Sequence, residues 1–303
     1  MAGKVAAILL GFSLLAMSGC GSVPTGALGD DSAQAVLARG EGGECDPFRS
    51  LRLELVFDGA VLERDLDILG LRRHDALPSF EAELVGIDPS YQDALVSRIV
   101  ELVRQAYGPF GIDVAATIGS VDLADATLAP DAGLLDGEVG AAVPVETVSR
   151  VIVTQVEGAP KVCRCQGATA ELGLNDGGTA EGVVLANAFR DNGLAAALQR
   201  WPAHERIEMA ASAIANSVVH EAGHTFGLVH LDVPGAPTLF MARGGSAATI
   251  LSVAEMTTFQ SFSSEALPVT SDALGVRDVQ CDSCLLHEII EQRRSCGASR
   301  ATR

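Results

Sequence analysis

His220-Glu221-Ala222-Gly223-His224-Thr225-Phe226-Gly227-Leu228-Val229-His230 decides how the rest of the chain is read. A helix over about Ala203 to Thr225 puts His220 and His224 one turn apart on the same face, where two imidazoles reach a single cation. Glu221 sits beside them rather than among them, so it can take a proton from a metal-held water without occupying a coordination position. Gly227 tolerates positive φ, so the helix can end there and the chain can turn to bring back His230 as a third donor. Three histidines leave a fourth position open, whereas a closed structural site takes a fourth protein ligand, often Cys. Half of the chain's six histidines fall in this segment. The competing reading, polar residues on a solvated helix face, explains neither Gly227 nor His230 at these positions.

These eleven residues resemble the long zinc-binding consensus of the metzincin metalloproteases. The resemblance implies one catalytic Zn2+ on His220, His224 and His230, Glu221 as general base, and a methionine turn downstream. Met241, within Thr238-Leu239-Phe240-Met241-Ala242-Arg243, matches that turn, with Met256 as the second candidate. No tyrosine follows Met241, which separates the chain from astacin-type members, and the spacing is most similar to the matrixins. The sharp motifs cover residues 220–241 only. They imply a zinc-dependent endopeptidase acting as a monomer on a protein or peptide substrate. The alternative is a cell-surface lipoprotein that keeps the fold as a binding or structural module.

The remaining residues supply a layout. Leu51-Arg52-Leu53-Glu54-Leu55-Val56-Phe57 alternates as a half-buried strand, and Asp58-Gly59 closes it. Asp88-Pro89 opens a helix whose buried stripe is Leu95, Ile99, Leu102, Val103 and Ala106, and Gly108-Pro109 stops it. Gly111 to Ile118, Val148 to Val156 and Gly182 to Phe189 read as further strands. Trp201-Pro202 starts the histidine-bearing helix, with Ile207, Ala210, Ala211, Ile214 and Val218 as its inward stripe. The expected fold is α+β with α/β character: a twisted mixed sheet, two long packing helices, a zinc cleft, a loop from Met241 to about Ser271, and a last helix near Asp278 to Arg293.

With 48% hydrophobic residues, 303 residues can bury one substantial core. Gly119 to Thr147, rich in Ala, Asp and Gly, reads as a surface insertion. Its acidic turns, like Asn175-Asp176-Gly177-Gly178, offer oxygen ligands for a structural Ca2+, though neither has the EF-hand register.

Lys4 and the apolar run Val5 to Met17 form a signal segment too short to span a bilayer. It ends in Ala16-Met17-Ser18-Gly19-Cys20, which resembles a bacterial lipobox, so Cys20 is the expected lipidation site. The expected organisation is a signal peptide over 1–19, a flexible tether over 20–48, a catalytic domain over 49–296 and a tail over 297–303. The expected place is the bacterial cell envelope, lipid-anchored and facing the periplasm or the exterior. In an oxidising compartment Cys45, Cys163, Cys165, Cys281, Cys284 and Cys296 are candidate disulfide partners, with Cys163 and Cys165 expected to reach distant cysteines such as Cys281, Cys284 or Cys296. A four-thiolate zinc on Cys163, Cys165, Cys281 and Cys284 is the rival, and Cys45 has a further reading as a latency switch on the catalytic zinc. A net charge of −18 opposes binding to nucleic acid and leaves the lipid as the route to the membrane.

Overall fold

The computed structural model describes residues 51–117, 147–158, 165–170, 180–233, 239–242, 253–270 and 279–298. The signal segment, Cys20, the tether with Cys45, residues 119–146 of the insertion, Cys163, the turn at 175–178 and the tail beyond 298 lie outside them. Among the described residues no helix is long and apolar enough to cross a membrane.

In chain order the strands are β1 (Leu51–Val56), β2 (Ala60–Val61), β3 (Ala76–Leu77), β4 (Asp113–Thr117), β5 (Thr147–Thr154), β6 (Gly167–Thr169), β7 (Ala180–Leu185), β8 (Leu267–Pro268) and β9 (Val279–Gln280). The helices are α1 (Gln92–Tyr107), α2 (Ala186–Asp191), α3 (Leu194–Leu198), α4 (Ala203–Thr225), α5 (Val253–Thr257) and α6 (Asp282–Ala298). The central sheet runs β4-β1-β5-β7-β6. Its first four strands are parallel, and β6 joins antiparallel as an edge. This is the mixed α/β architecture expected from the sequence.

Strand alternation assigns the two faces. Leu51, Leu53, Leu55, Val151, Val153 and Val184 turn to one side, where α1 and α4 cover them. Val56, Ile152, Val183 and Leu185 turn to the other, under the segment that carries Leu62, Leu66, Leu69, Leu71 and Leu77. That segment is tied down by Glu181, whose buried carboxylate accepts from the backbone N–H groups of Glu63 and Arg64 at 2.7 and 2.9 Å and from Arg150 at 3.1 Å. Burial pushes the Glu181 carboxyl up, against the pull of those donors.

The α1 start is as the sequence indicates: Asp88 accepts from Ser90 N–H, a single 3₁₀ turn over Pro89–Tyr91 follows, and the helix runs on with Leu95, Ile99, Leu102, Val103 and Ala106 buried. The α4 bounds also match. Its burial does not follow one stripe, because every residue from Ala210 to Thr225 is buried. Covered by the sheet, α1 and the segment after Met241, the helix needs small residues on several sides. The run Gly182 to Phe189 splits: β7 stops at Leu185 and Ala186–Asp191 is helical. An unbroken apolar run buried on all sides carries no period to mark that change. The stretch from Met241 to Ser271 contains α5 and β8, and α6 begins at Asp282.

Cys281 and Cys284 are bonded to each other, with Cα atoms 5.2 Å apart. Neither is therefore a partner of Cys163 or Cys165, and the four-thiolate zinc set is excluded. Cys281 stands just before α6 and Cys284 in its first turn, where three residues of separation bring the two sulfurs into bonding range. Cys165 is also disulfide-bonded, and Cys296 falls within α6.

Candidate metal centre

The three histidines meet. Nε2 of His220 lies 3.1 Å from Nε2 of His230 and 3.1 Å from Nε2 of His224, and the third edge of the triangle is 3.2 Å. The α4 helix supplies two corners. It ends at Thr225, and Gly227, at φ 90°, turns the chain so that His230 supplies the third.

The second ring nitrogens are held elsewhere. Nδ1 of His220 is 2.6 Å from the Phe240 carbonyl oxygen, and Nδ1 of His224 is 2.8 Å from that of Leu228. A carbonyl only accepts, so in both rings Nδ1 carries the proton and Nε2 presents a lone pair. The facing lone pairs of His220 and His224 at 3.1 Å cannot hydrogen-bond each other, and a cation between them resolves the repulsion. Tetrahedral zinc with nitrogen ligands at about 2.0–2.1 Å needs an N–N edge of roughly 3.3 Å, close to the edges found. The residues therefore fit a zinc ion, and His220, His224 and His230 are the group able to hold a metal among the described residues.

Electrostatics favour the same state. Burial, then the neighbouring His220, pushes the His224 imidazole down to about 3, and burial lowers His220 as well. Both rings stay neutral at physiological pH, as metal ligands must be. His220 and His224 are nearly covered, and His230 is only half-buried, so the site opens to solvent on the His230 side.

Met241 is fully buried beneath this group. A Cβ built on Gly223, between the two helical histidines, would fall 2.5 Å from the Met241 sulfur. Its carbonyl accepts from Leu231 N–H at 2.8 Å, one residue past His230. Met256, the second candidate, sits instead on α5, where its sulfur is 3.8 Å from Gln166 Nε2. The geometry thus brings Met241 against Gly223, in the helical turn between His220 and His224, and places Met256 beside Gln166 and Asn216.

Glu221 leaves the histidine face and turns toward the sheet edge. Its Oε2 accepts from the Thr169 hydroxyl at 2.7 Å. Burial pushes the carboxyl up to about 8, with the Thr169 hydrogen bond acting against it. A divalent cation on the adjacent histidines favours the ionised form and pulls the value back. The helix approaches the sheet this closely because β6 and β7 present glycines. A Cβ on Gly167 would lie 2.6 Å from Glu221 Oε1, and one on Gly182 would lie 3.2 Å from Glu221 Cβ.

The sequence reading missed β6 and Thr169. A three-residue strand is too short to show alternation, and the only signal was the pair Gly167 and Thr169 flanking a small residue. It also missed Gln280 and Thr270, which fix the His230 loop and carry no motif. Leu185 N–H to Gln166 and Ala170 N–H to Glu181 set the β6–β7 pairing, so the backbone groups of Gly167 and Thr169 point away from β7.

No protein-family model matches the chain, and no curated protein matches it. Among solved structures it is similar to the crystal structure of archaemetzincin from Methanopyrus kandleri, at 16% identity and a TM-score of 0.33, over 81% of this chain and 96% of that one. A likeness that slight leaves the site to be judged on its own geometry.

Proposed function

We propose that the chain is a zinc-dependent endopeptidase, on one observation above all: three Nε2 atoms converge within 3.2 Å, with a glutamate next to them in sequence that is not one of the donors. His220, His224 and His230 would hold the ion, which when bound acidifies a water toward neutrality and polarises a carbonyl. Glu221 accepts the proton that the water loses on attack and returns it to the departing amine, so that one peptide bond breaks and one water is consumed. Met241 keeps the underside of the histidines dry. An extended peptide adding to the outward edge of β6 would run beside Glu221, which favours a peptide over a compact small molecule.

Within the same proposal the enzyme is exported and anchored through Cys20, on the strength of the Ala16-Met17-Ser18-Gly19-Cys20 segment. The test of the chemistry is Glu221→Gln, assayed on casein and quenched peptide libraries with zinc measured in parallel. Retained zinc with cleavage lowered by about 10²-fold or more is expected, the usual contribution of a positioned general base. Wild-type cleavage by that variant, or zinc-loaded wild type that cuts nothing, overturns the reading and favours a binding module.

A further inference from the structure

We propose that Thr169, on the edge strand β6, is a positioning residue that holds the Glu221 carboxylate in the one orientation from which it works. The inference rests on the reading of Glu221 as general base.

The Thr169 hydroxyl reaches two acceptors on the same residue, Glu221 Oε2 at 2.7 Å and the Glu221 main-chain carbonyl at 3.1 Å. The shorter contact is the one to the carboxylate, where a charged acceptor strengthens the bond. The opposite side of the carboxylate is closed by backbone. The position a Cβ would take on Gly167 lies 2.6 Å from Oε1 and 2.8 Å from Cγ, so the side chain occupies the space that glycine leaves free. The position a Cβ would take on Gly182, in β7, lies 3.2 Å from Glu221 Cβ. The carboxylate is therefore wedged between a hydroxyl and bare main chain.

A free glutamate samples several rotamers, and proton transfer requires its oxygen within about 2.6–3.2 Å of the donor. Thr169 removes that freedom. It pins Oε2 while Gly167 bounds the Oε1 side, and together they fix the plane of the carboxylate. A threonine serving only to join the edge strand to α4 would need just the contact to the main-chain carbonyl. The bond to the carboxylate is the one that chemistry uses.

The experiment compares the full-length zinc-loaded protein with Thr169→Val, Thr169→Ser and Thr169→Ala on a quenched peptide that wild type cuts. Thr169→Val should lower kcat by about 10- to 100-fold, as expected for a mispositioned catalytic group, with KM within about twofold. Its zinc content should equal that of wild type. Thr169→Ser should recover kcat to within about threefold, and Thr169→Ala should not; that pair carries the comparison if the valine variant fails to fold. A second readout needs neither metal nor turnover. In metal-free protein the C=O stretch of the Glu221 carboxyl group, isolated as the infrared difference from Glu221→Gln, should shift in Thr169→Val and return in Thr169→Ser. Unchanged kcat and an unmoved band in Thr169→Val overturn the inference and leave the peptidase reading standing, as does a serine variant no better than alanine. Wild-type cleavage by Glu221→Gln removes the reading on which it rests.

Discussion

Gln280 grips Val229 from both sides: its Oε1 accepts from Val229 N–H at 2.9 Å, and its Nε2 donates to the Val229 carbonyl at 2.9 Å. The next residue is His230. Its carbonyl accepts from Thr270 N–H at 3.0 Å, Leu231 N–H donates to Met241, and Asp232 N–H donates to Pro268. Gln280 is fixed in turn by donating to the buried Asp282 at 2.7 Å. The third corner of the histidine triangle is thus set through Val229 by a residue 51 positions further along the chain from it.

Gln280→Ala should therefore loosen His230 without touching a ligand. Zinc affinity should fall by about 10- to 100-fold, the range for removing outer support from a metal ligand. Stability should fall by about 1–3 kcal/mol for the buried Val229 groups left unpaired. Competition against a fluorescent chelator and a denaturant melt would measure the two effects.

Gly167→Ala tests how tightly the sheet edge fits α4. The added methyl meets Glu221 Oε1, Glu221 Cγ and the Val183 carbonyl at 2.6–2.8 Å, so the glutamate must leave its place or the strand must shift. A loss of about 1–3 kcal/mol is expected for overpacking, together with a fall in kcat at unchanged zinc stoichiometry. Denaturation and kinetics on the same preparation would show whether both losses occur.

Metal-free protein should have a stability plateau in mild acid, with losses on either side. Glu221 is raised from 4.5 to about 8, so between those values the native state holds a proton that the unfolded chain gives up. Its contribution is present below pH 4.5 and is lost as pH rises through 8. His224 is lowered from 6.5 to about 3, so below pH 6.5 the unfolded chain takes a proton that the native state refuses. That contribution is present above pH 6.5 and is lost as pH falls toward 3. Between 4.5 and 6.5 the two slopes oppose each other. In Glu221→Gln the decline on the alkaline side should disappear, which thermal melts across pH would reveal.

Chelation should lower the melting temperature and restored zinc should recover it. A ligand at 1,000 times its Kd adds about 4 kcal/mol to the native state, which at about 2–4 °C per kcal/mol is a shift on the order of 10 °C. In His224→Ala the shift should shrink to a small fraction of that, as scanning calorimetry with and without zinc would report.

The parts of this molecule legible in its sequence are those with a period or a motif. The Leu51 strand alternates, the Asp88-Pro89 start is a capping signal, and the Ala203–Thr225 helix ends where Gly227 allows it to. The histidine triangle is legible for the same reason: one helical turn and one reversal place all three rings. What was not legible depends on other parts of the chain. The contacts of Thr169, Gly167 and Gln280 with the site lie 51 or more residues away in sequence, and nothing local marks them. The break between β7 and α2 is hidden because burial on every side removes the polar positions that would set a register. The bond between Cys281 and Cys284 was passed over in favour of longer-range pairs, although their spacing permits it.

The distances along the chain differ sharply between the two halves of the centre. The donor set closes within ten residues, whereas Glu221 meets its strand across 52, and that strand belongs to a sheet in which Leu51 pairs with Thr147. Local contacts form early and low-contact-order pieces form fast, while parallel pairing across such spans comes late. The two helical histidines can thus come together before the sheet does, whereas the surroundings of Glu221, and the grip of Gln280 beside His230, wait for distant parts of the chain.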